Sequence, residues 1–253
     1  MASGKTSNKN ILYFLAAYLV LWILLFEFIL PANEILPKPS IVILSFGALW
    51  KDYNLPLNFF STVSNVYLSI AVSYLLVFVL KRILIKSNHF VKNFFNSLNW
   101  FSKYLPGIII GLFLIYWFPY SQLINFIFAL GIAFFSLIIK FQDEIKHLNH
   151  TYVDSARTLG ADEKTISNMV IWKSIQHNLV GHFIELHSYL WSALIIFEFI
   201  KGGYGLGNIF KQALNYEDLS ALFSVSIITA ITIFAGLYAF NYIRNKFFHW
   251  STN

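Results

Sequence analysis

Six stretches of this chain are so long and so apolar that they leave little choice of solvent. A helix that crosses a bilayer needs roughly 20 mostly apolar residues. Residues 11–30, about 58–80, about 104–118, 121–139, 178–200 and 219–242 fit that description, the first interrupted only by Glu27. Inside a bilayer every backbone polar group must be satisfied by the chain itself, and a helix achieves this within one segment. The expected fold class is therefore an all-α membrane protein with about six transmembrane helices. Composition agrees. Only 12% of the 253 residues are charged, against about 25% in soluble domains. The 27 Phe, 14 Tyr and 7 Trp exceed what a water-facing surface tolerates.

Nothing outside the apolar runs is long enough to hold a separate core. One membrane domain is expected over 11–246, between polar tails 1–10 and 247–253. The first apolar run is long for a signal-peptide core and no small-residue cleavage pattern follows it, so it is expected to be a retained helix. Between the first two runs, Leu36-Pro37-Lys38-Pro39-Ser40 precedes an apolar stretch ending at Trp50. That stretch is too short to span and is expected to lie at the interface.

Basic residues give a direction. With the amino terminus inside, fourteen of the eighteen Lys and Arg fall on the inner side, and only Lys38, Lys51, Lys201 and Lys211 fall outside. Positive charge gathers on the cytoplasmic side of membrane proteins. Both termini are therefore expected in the cytoplasm, as a multi-pass membrane protein with an even number of crossings. The same count explains the net charge of +6 without nucleic acid, and lipid is the partner it implies.

The direction places 140–177, the largest inner loop, in the cytoplasm. Tyr152, Ala156 and Leu159 share one helical face. Gly160 is placed to end that helix, and Asp162 to cap the next. Ile166, Met169 and Val170 repeat at helical spacing after it. The predicted shape is a helix–glycine–helix knuckle. It suits docking into a groove of a soluble partner, or packing against the ends of its own helices.

Catalytic chemistry finds little support. The chain has no cysteine, which removes disulfides, thiolate metal sites and cysteine nucleophiles. His177, His182 and His187 are five apart, so they diverge around a helix; no metal site is expected. Gly4-Lys5-Thr6 lacks the glycine five residues earlier that a phosphate loop needs. Gly203, Gly205 and Gly207 fail the dinucleotide pattern because Asn208 stands where the third glycine belongs. Within the apolar runs, Glu185 and Glu198 carry charges that must face protein or water. Glu198 could also pair with Lys201 one turn on. Gly107 and Gly111 allow close helix packing, and Pro106 loosens the start of their helix. Polar Asn58, Ser61, Thr62, Ser64 and Asn65 suggest that one end of the second span faces a cavity.

The segment Asp154-Ser155-Ala156-Arg157-Thr158-Leu159-Gly160-Ala161, followed by Ile171, resembles the EAA loop of ABC-importer permeases. Leu36-Pro37-Lys38-Pro39-Ser40 is similar to the Leu-Pro-Ser-Pro segment of their nitrate/sulfonate/taurine/bicarbonate branch. Lys103-Tyr104-Leu105-Pro106 with Tyr116-Trp117-Phe118, and Glu198 with Gly202–Gly207, resemble further segments of that branch in order and spacing. The sequence departs at Asp154 and Ser155, at Trp172-Lys173 where Leu-Pro is usual, at His177, and at Glu185 beside a frequent arginine. The resemblance implies a type I ABC-importer transmembrane fold and a non-catalytic permease subunit for a small anionic or sulfonate-like solute. It implies partners: cytoplasmic ATP-binding subunits holding ATP and Mg, a second permease copy or paralogue, and an extracytoplasmic solute-binding protein. Asp154, Ser155, Ala156, Leu159, Gly160, Ala161, Ile166, Met169, Val170 and Ile171 would couple to the ATPase. Pro106, Trp117, Glu185, Glu198, Gly203, Gly205 and Gly207 would be pathway or gating residues. A membrane enzyme or assembly subunit on a similar helical scaffold is the other reading.

Overall fold

The computed structural model describes residues 8–30, 37–85, 93–95, 97, 100, 107–121 and 123–247. Nine helices are found among them: α1 Asn8–Ile23, running on as a π-helical turn Leu24–Ile29; α2 Pro39–Lys51; α3 Leu55–Ile85; α4 Gly107–Trp117; α5 Ile124–Lys146; α6 His150–Thr158; α7 Glu163–Lys201; α8 Leu206–Asn215; and α9 Leu219–Phe247. The protein is an all-α membrane protein. Four helices, α3, α5, α7 and α9, are long and apolar enough to cross a bilayer. Of the other two expected crossings, the first and third correspond to shorter apolar helices, Ala16–Ile29 and Gly107–Trp117. Pro106 lies outside the described residues.

Helix α7 is the axis of the bundle. It packs against α3, α5, α8 and α9, while α9 also carries α2. Leu186, Leu190, Trp191, Leu194 and Phe197 of α7 are buried on its inner side. Phe197 stacks on Phe128 of α5 at 4.1 Å between ring centroids. Gly111 of α4 leaves room for that stack, since a Cβ there would lie 2.8 Å from Phe197. The small residue therefore serves packing within this chain.

Local chemistry fixes the ends. Pro39 opens α2 at the first helical position, where its missing N–H costs nothing. Glu27 explains its place at the end of the first apolar run: its carboxylate accepts from Ser40 N at 3.2 Å and Ser40 Oγ at 2.9 Å. It meets the positive end of α2. Asp218 caps α9 through Ala221 N at 2.9 Å and accepts Tyr53 OH at 3.0 Å. That bond ties the α2–α3 turn to the start of α9. Burial and the Asp218 carboxylate push the Tyr53 phenol above its ordinary range.

Two helices run on past the spans that hydropathy marks. Within the expected inner loop 140–177, α5 continues to Lys146 and α7 begins at Glu163. The fifth span was expected to start at 178, yet one continuous helix runs from 163 to 201. Hydropathy marks where the apolar layer ends. Helical backbone continues past that edge while its polar side chains remain good helix formers.

Candidate functional site

The turn between α5 and α7 is built as a rigid knuckle. Asn149 caps α6 by accepting from Thr151 N at 3.0 Å. At the other end Gly160 adopts φ +79°, a left-handed conformation that costs other residues roughly 1–2 kcal/mol. Gly160 N donates to Arg157 O at 2.9 Å and Ala161 N to Ala156 O at 3.0 Å, the paired bonds of a Schellman motif. Asp162 then caps α7, its Oδ1 accepting from Thr165 N at 3.0 Å. That hydrogen bonding holds the Asp162 carboxyl below its ordinary range. The glycine bend and the aspartate cap both stand where the sequence placed them.

The knuckle has a held side and an offered side. Val153, Ile166 and Ile171 are buried against the bundle. Ala156, Ala161 and Val170 are partly buried against the same core. Leu159, 87% exposed, projects with Tyr152 and Met169. Asp154 and Ser155 are exposed, and Asp154 lies 3.8 Å from Arg157 at the surface. Of the expected coupling face, Ile166 and Ile171 therefore point inward and anchor it, while Leu159 and Met169 point out.

Behind the knuckle, Ile166–Ile171 forms a π-helical turn and leads into Trp172. Such turns occur at functional sites more often than chance. Trp172, at the position where the sequence departs from Leu-Pro, is buried among Tyr74, Phe78 and Phe141, with ring centroids 5.7, 5.2 and 6.1 Å away. Lys81 is buried beside it, its ammonium 3.4 Å from the Phe78 centroid and 5.0 Å from the Trp172 ring. Cation–π attraction offsets part of the cost of burying that charge. An aromatic box thus clamps the inner end of α7 to α3 and α5. Sequence reasoning missed it because its members come from three helices.

At the other end of α7, Glu198 is fully buried. Thr62 Oγ1 donates to its two carboxylate oxygens at 2.8 and 3.0 Å, and Gly207 N donates at 3.1 Å. Thr62 Oγ1 also accepts from Leu206 N at 2.8 Å, while Asn58 Oδ1 accepts from Gly205 N at 2.8 Å. Gly205 has φ +119°, and a Cβ on it would collide with the Glu198 carboxylate. Gly207 is pressed against Glu198 and the α7 backbone in the same way, with Phe199 N 2.6 Å from an added Cβ. Gly203 has open space around it. Lys201 does not pair with Glu198; its Nζ donates to Asn125 Oδ1 at 3.2 Å. Asn58 and Thr62 are likewise turned into this knot, where the sequence suggested a cavity.

Glu185 lies near the middle of α7 and is 81% exposed. Its Oε2 is 3.3 Å from His182 Nδ1, and His182 Nε2 is 2.8 Å from Ser136 Oγ. Trp117 is exposed at the end of α4. The knuckle, the aromatic box, the Glu198 knot and Glu185 thus lie on or against one helix.

Comparison with known proteins follows the same region. A family model described as the binding-protein-dependent transport system inner membrane component matches residues 78–248. Over 105 residues the chain is 33% identical to a "probable ABC transporter permease protein" of Brucella melitensis biotype 1, covering 41% of this chain and 42% of that one. Proteins of the same description from Brucella abortus strain 2308 and biovar 1 match at 33% over 105 residues, 41% of each chain. The matched stretch spans less than half the length of these relatives.

Proposed function

The chain belongs to the family of binding-protein-dependent transport system inner membrane components, and on that premise we propose that it is the permease subunit of an ATP-driven importer. It is a membrane transport component, and ATP and Mg would be bound by separate cytoplasmic subunits. Those subunits would grip the 147–162 knuckle, with both termini of this chain on the same side of the plasma membrane. A second permease copy or paralogue would complete the pathway, and an extracytoplasmic solute-binding protein would deliver the solute. The nitrate/sulfonate/taurine/bicarbonate subtype rests on the order and spacing of the 36–40, 103–118, 154–161 and 198–207 segments. That subtype implies a small anionic or sulfonate-like solute.

One observation carries the coupling role. Leu159 stands 87% exposed at the tip of a turn whose Schellman bonds and Asp162 cap leave it little freedom. A large apolar side chain on a rigid projection, with Tyr152 and Met169 exposed beside it, is what a hydrophobic groove on a partner would take up. Gly160→Val forces a branched side chain into the left-handed region and distorts that presentation. The expected result is transport-stimulated ATP hydrolysis in the assembled complex reduced at least about tenfold, the equivalent of about 1.4 kcal/mol. Unchanged stimulation would overturn the coupling assignment.

A further inference from the structure

The outward surfaces of the spanning helices are not alike. Leu68, Leu75 and Val79 of α3, Ile127 and Phe135 of α5, and Ile231, Phe234 and Tyr238 of α9 are exposed and apolar or aromatic, as lipid requires. Along α7 the outward line reads Ser174, Asn178, His182 (mostly buried), Glu185, Tyr189 and Ser192, and turns apolar only beyond it, at Ile196 and Ile200. Steps of three and four keep these residues on one face. Glu185 is about 18 Å from Lys173 and about 24 Å from Lys201 along the helix, at 1.5 Å per residue. With a hydrocarbon layer of about 30 Å, it lies well inside the membrane. An ionisable group at that depth must face water or a polar partner.

Charge on this face is one-sided. Toward the inner end, Lys140 pairs with Glu144 at 2.9 Å, and Asn178 Nδ2 donates to the same carboxylate. At Glu185 the only contact among the described residues is His182 Nδ1. A carboxylate only accepts, so Nδ1 presents a proton to Glu185 while Nε2 meets the Ser136 hydroxyl, which fixes the ring between the two. The imidazole, mostly buried, thus holds a carboxylate that is 81% exposed toward the outer face. Tyr189, exposed one turn away, adds a π face, which attracts cations.

We propose that this polar face of α7 is a wall of the aqueous solute passage, and that Glu185, positioned by His182 and Ser136, makes the passage favour positively charged solutes over anions. The proposal rests on the permease reading and differs from the anionic solute that the family resemblance implies. Solutes carrying a protonated or quaternary nitrogen fit the carboxylate–tyrosine pair; a nitrate or sulfonate meets repulsion from it.

The absence of native cysteine makes the test direct. Ser192→Cys and, as a lipid-facing control, Ile231→Cys are introduced singly into the full chain in cell membranes. Each is treated with a trimethylammonium-ethyl or a sulfonato-ethyl methanethiosulfonate, and rates are normalised to those with a free thiol in solution. The expected result is reaction at 192 and none at 231, with the cationic reagent about tenfold faster. Adding Glu185→Gln brings the two rates together. If position 192 is as inert as 231, the face is not aqueous and the proposal falls. If both reagents react equally, or the anion faster, the charge preference is wrong. Either outcome is separate from the ATPase coupling measured with Gly160→Val.

Discussion

Thr62→Val removes one hydroxyl and nearly preserves side-chain shape, so its effect measures what the Glu198 knot contributes. In the native protein that hydroxyl donates to the Glu198 carboxylate and accepts from Leu206 N. Valine leaves two buried groups without this partner. Each unsatisfied buried group costs about 1–3 kcal/mol. Glu198 keeps its bond from Gly207 N, which places the sum toward the lower end, about 3 kcal/mol. For a chain of this size about 1 kcal/mol moves Tm by about 2–4 °C, so a drop of about 6–12 °C is expected. The assay is thermal unfolding of the full chain in lipid nanodiscs, followed by intrinsic tryptophan fluorescence. Thr62→Ser keeps the hydroxyl and should stay within about 4 °C of the parent. A Val variant as stable as the Ser variant would refute the knot as the fastener between α3 and the 202–207 turn.

Other perturbations separate the parts. Trp172→Leu empties the aromatic box and leaves the Lys81 ammonium only the Phe78 face, so a loss of about 3–5 kcal/mol in the same unfolding assay is expected; Trp172→Phe should recover about half of it. Gly111→Val drives a side chain into the Phe128–Phe197 stack, where a Cβ would already be 2.8 Å from Phe197. Overpacking of this kind costs about 1–3 kcal/mol, and unfolding should show it without any change in reactivity of a thiol at position 192.

What could be read from sequence alone follows from how far each interaction reaches along the chain. Gly160 and Asp162 were legible because a Schellman bend and a helix cap are decided within five residues. The apolar runs were legible because lipid imposes their length. The helix ends were not: residues 163–177 are polar enough to leave the membrane yet helical enough to continue α7. The partner of Glu198 was not legible either. Lys201, three residues away, was the nearest cation, but the actual donor, Thr62, is 136 residues away. Lys81 and Trp172 are likewise joined only by tertiary packing. Ile166 and Ile171 were placed on a docking face because periodicity gives a face without saying which way it turns; Val153 and the π-helical turn turn it inward.

The exposed face of α7 has a different origin. Sequence alone required Glu185 to face protein or water. Among the described residues nothing buries it, because Leu186, Leu190 and Leu194 occupy the inward side. Water or a second subunit is what remains for it, and the same helix carries the knuckle at one end and the Glu198 knot at the other.

The claim on which the account turns is that the 147–162 knuckle is where an ATP-binding subunit grips this chain. A photo-crosslinking amino acid placed at Leu159, in cells that express the whole transporter, tests it most directly. The account predicts a crosslinked product containing an ATP-binding subunit from position 159, identified by mass spectrometry, and none from Tyr238 on the outward face of α9. Crosslinks from 159 to lipid or to this chain alone, with the transporter intact and active, would contradict it.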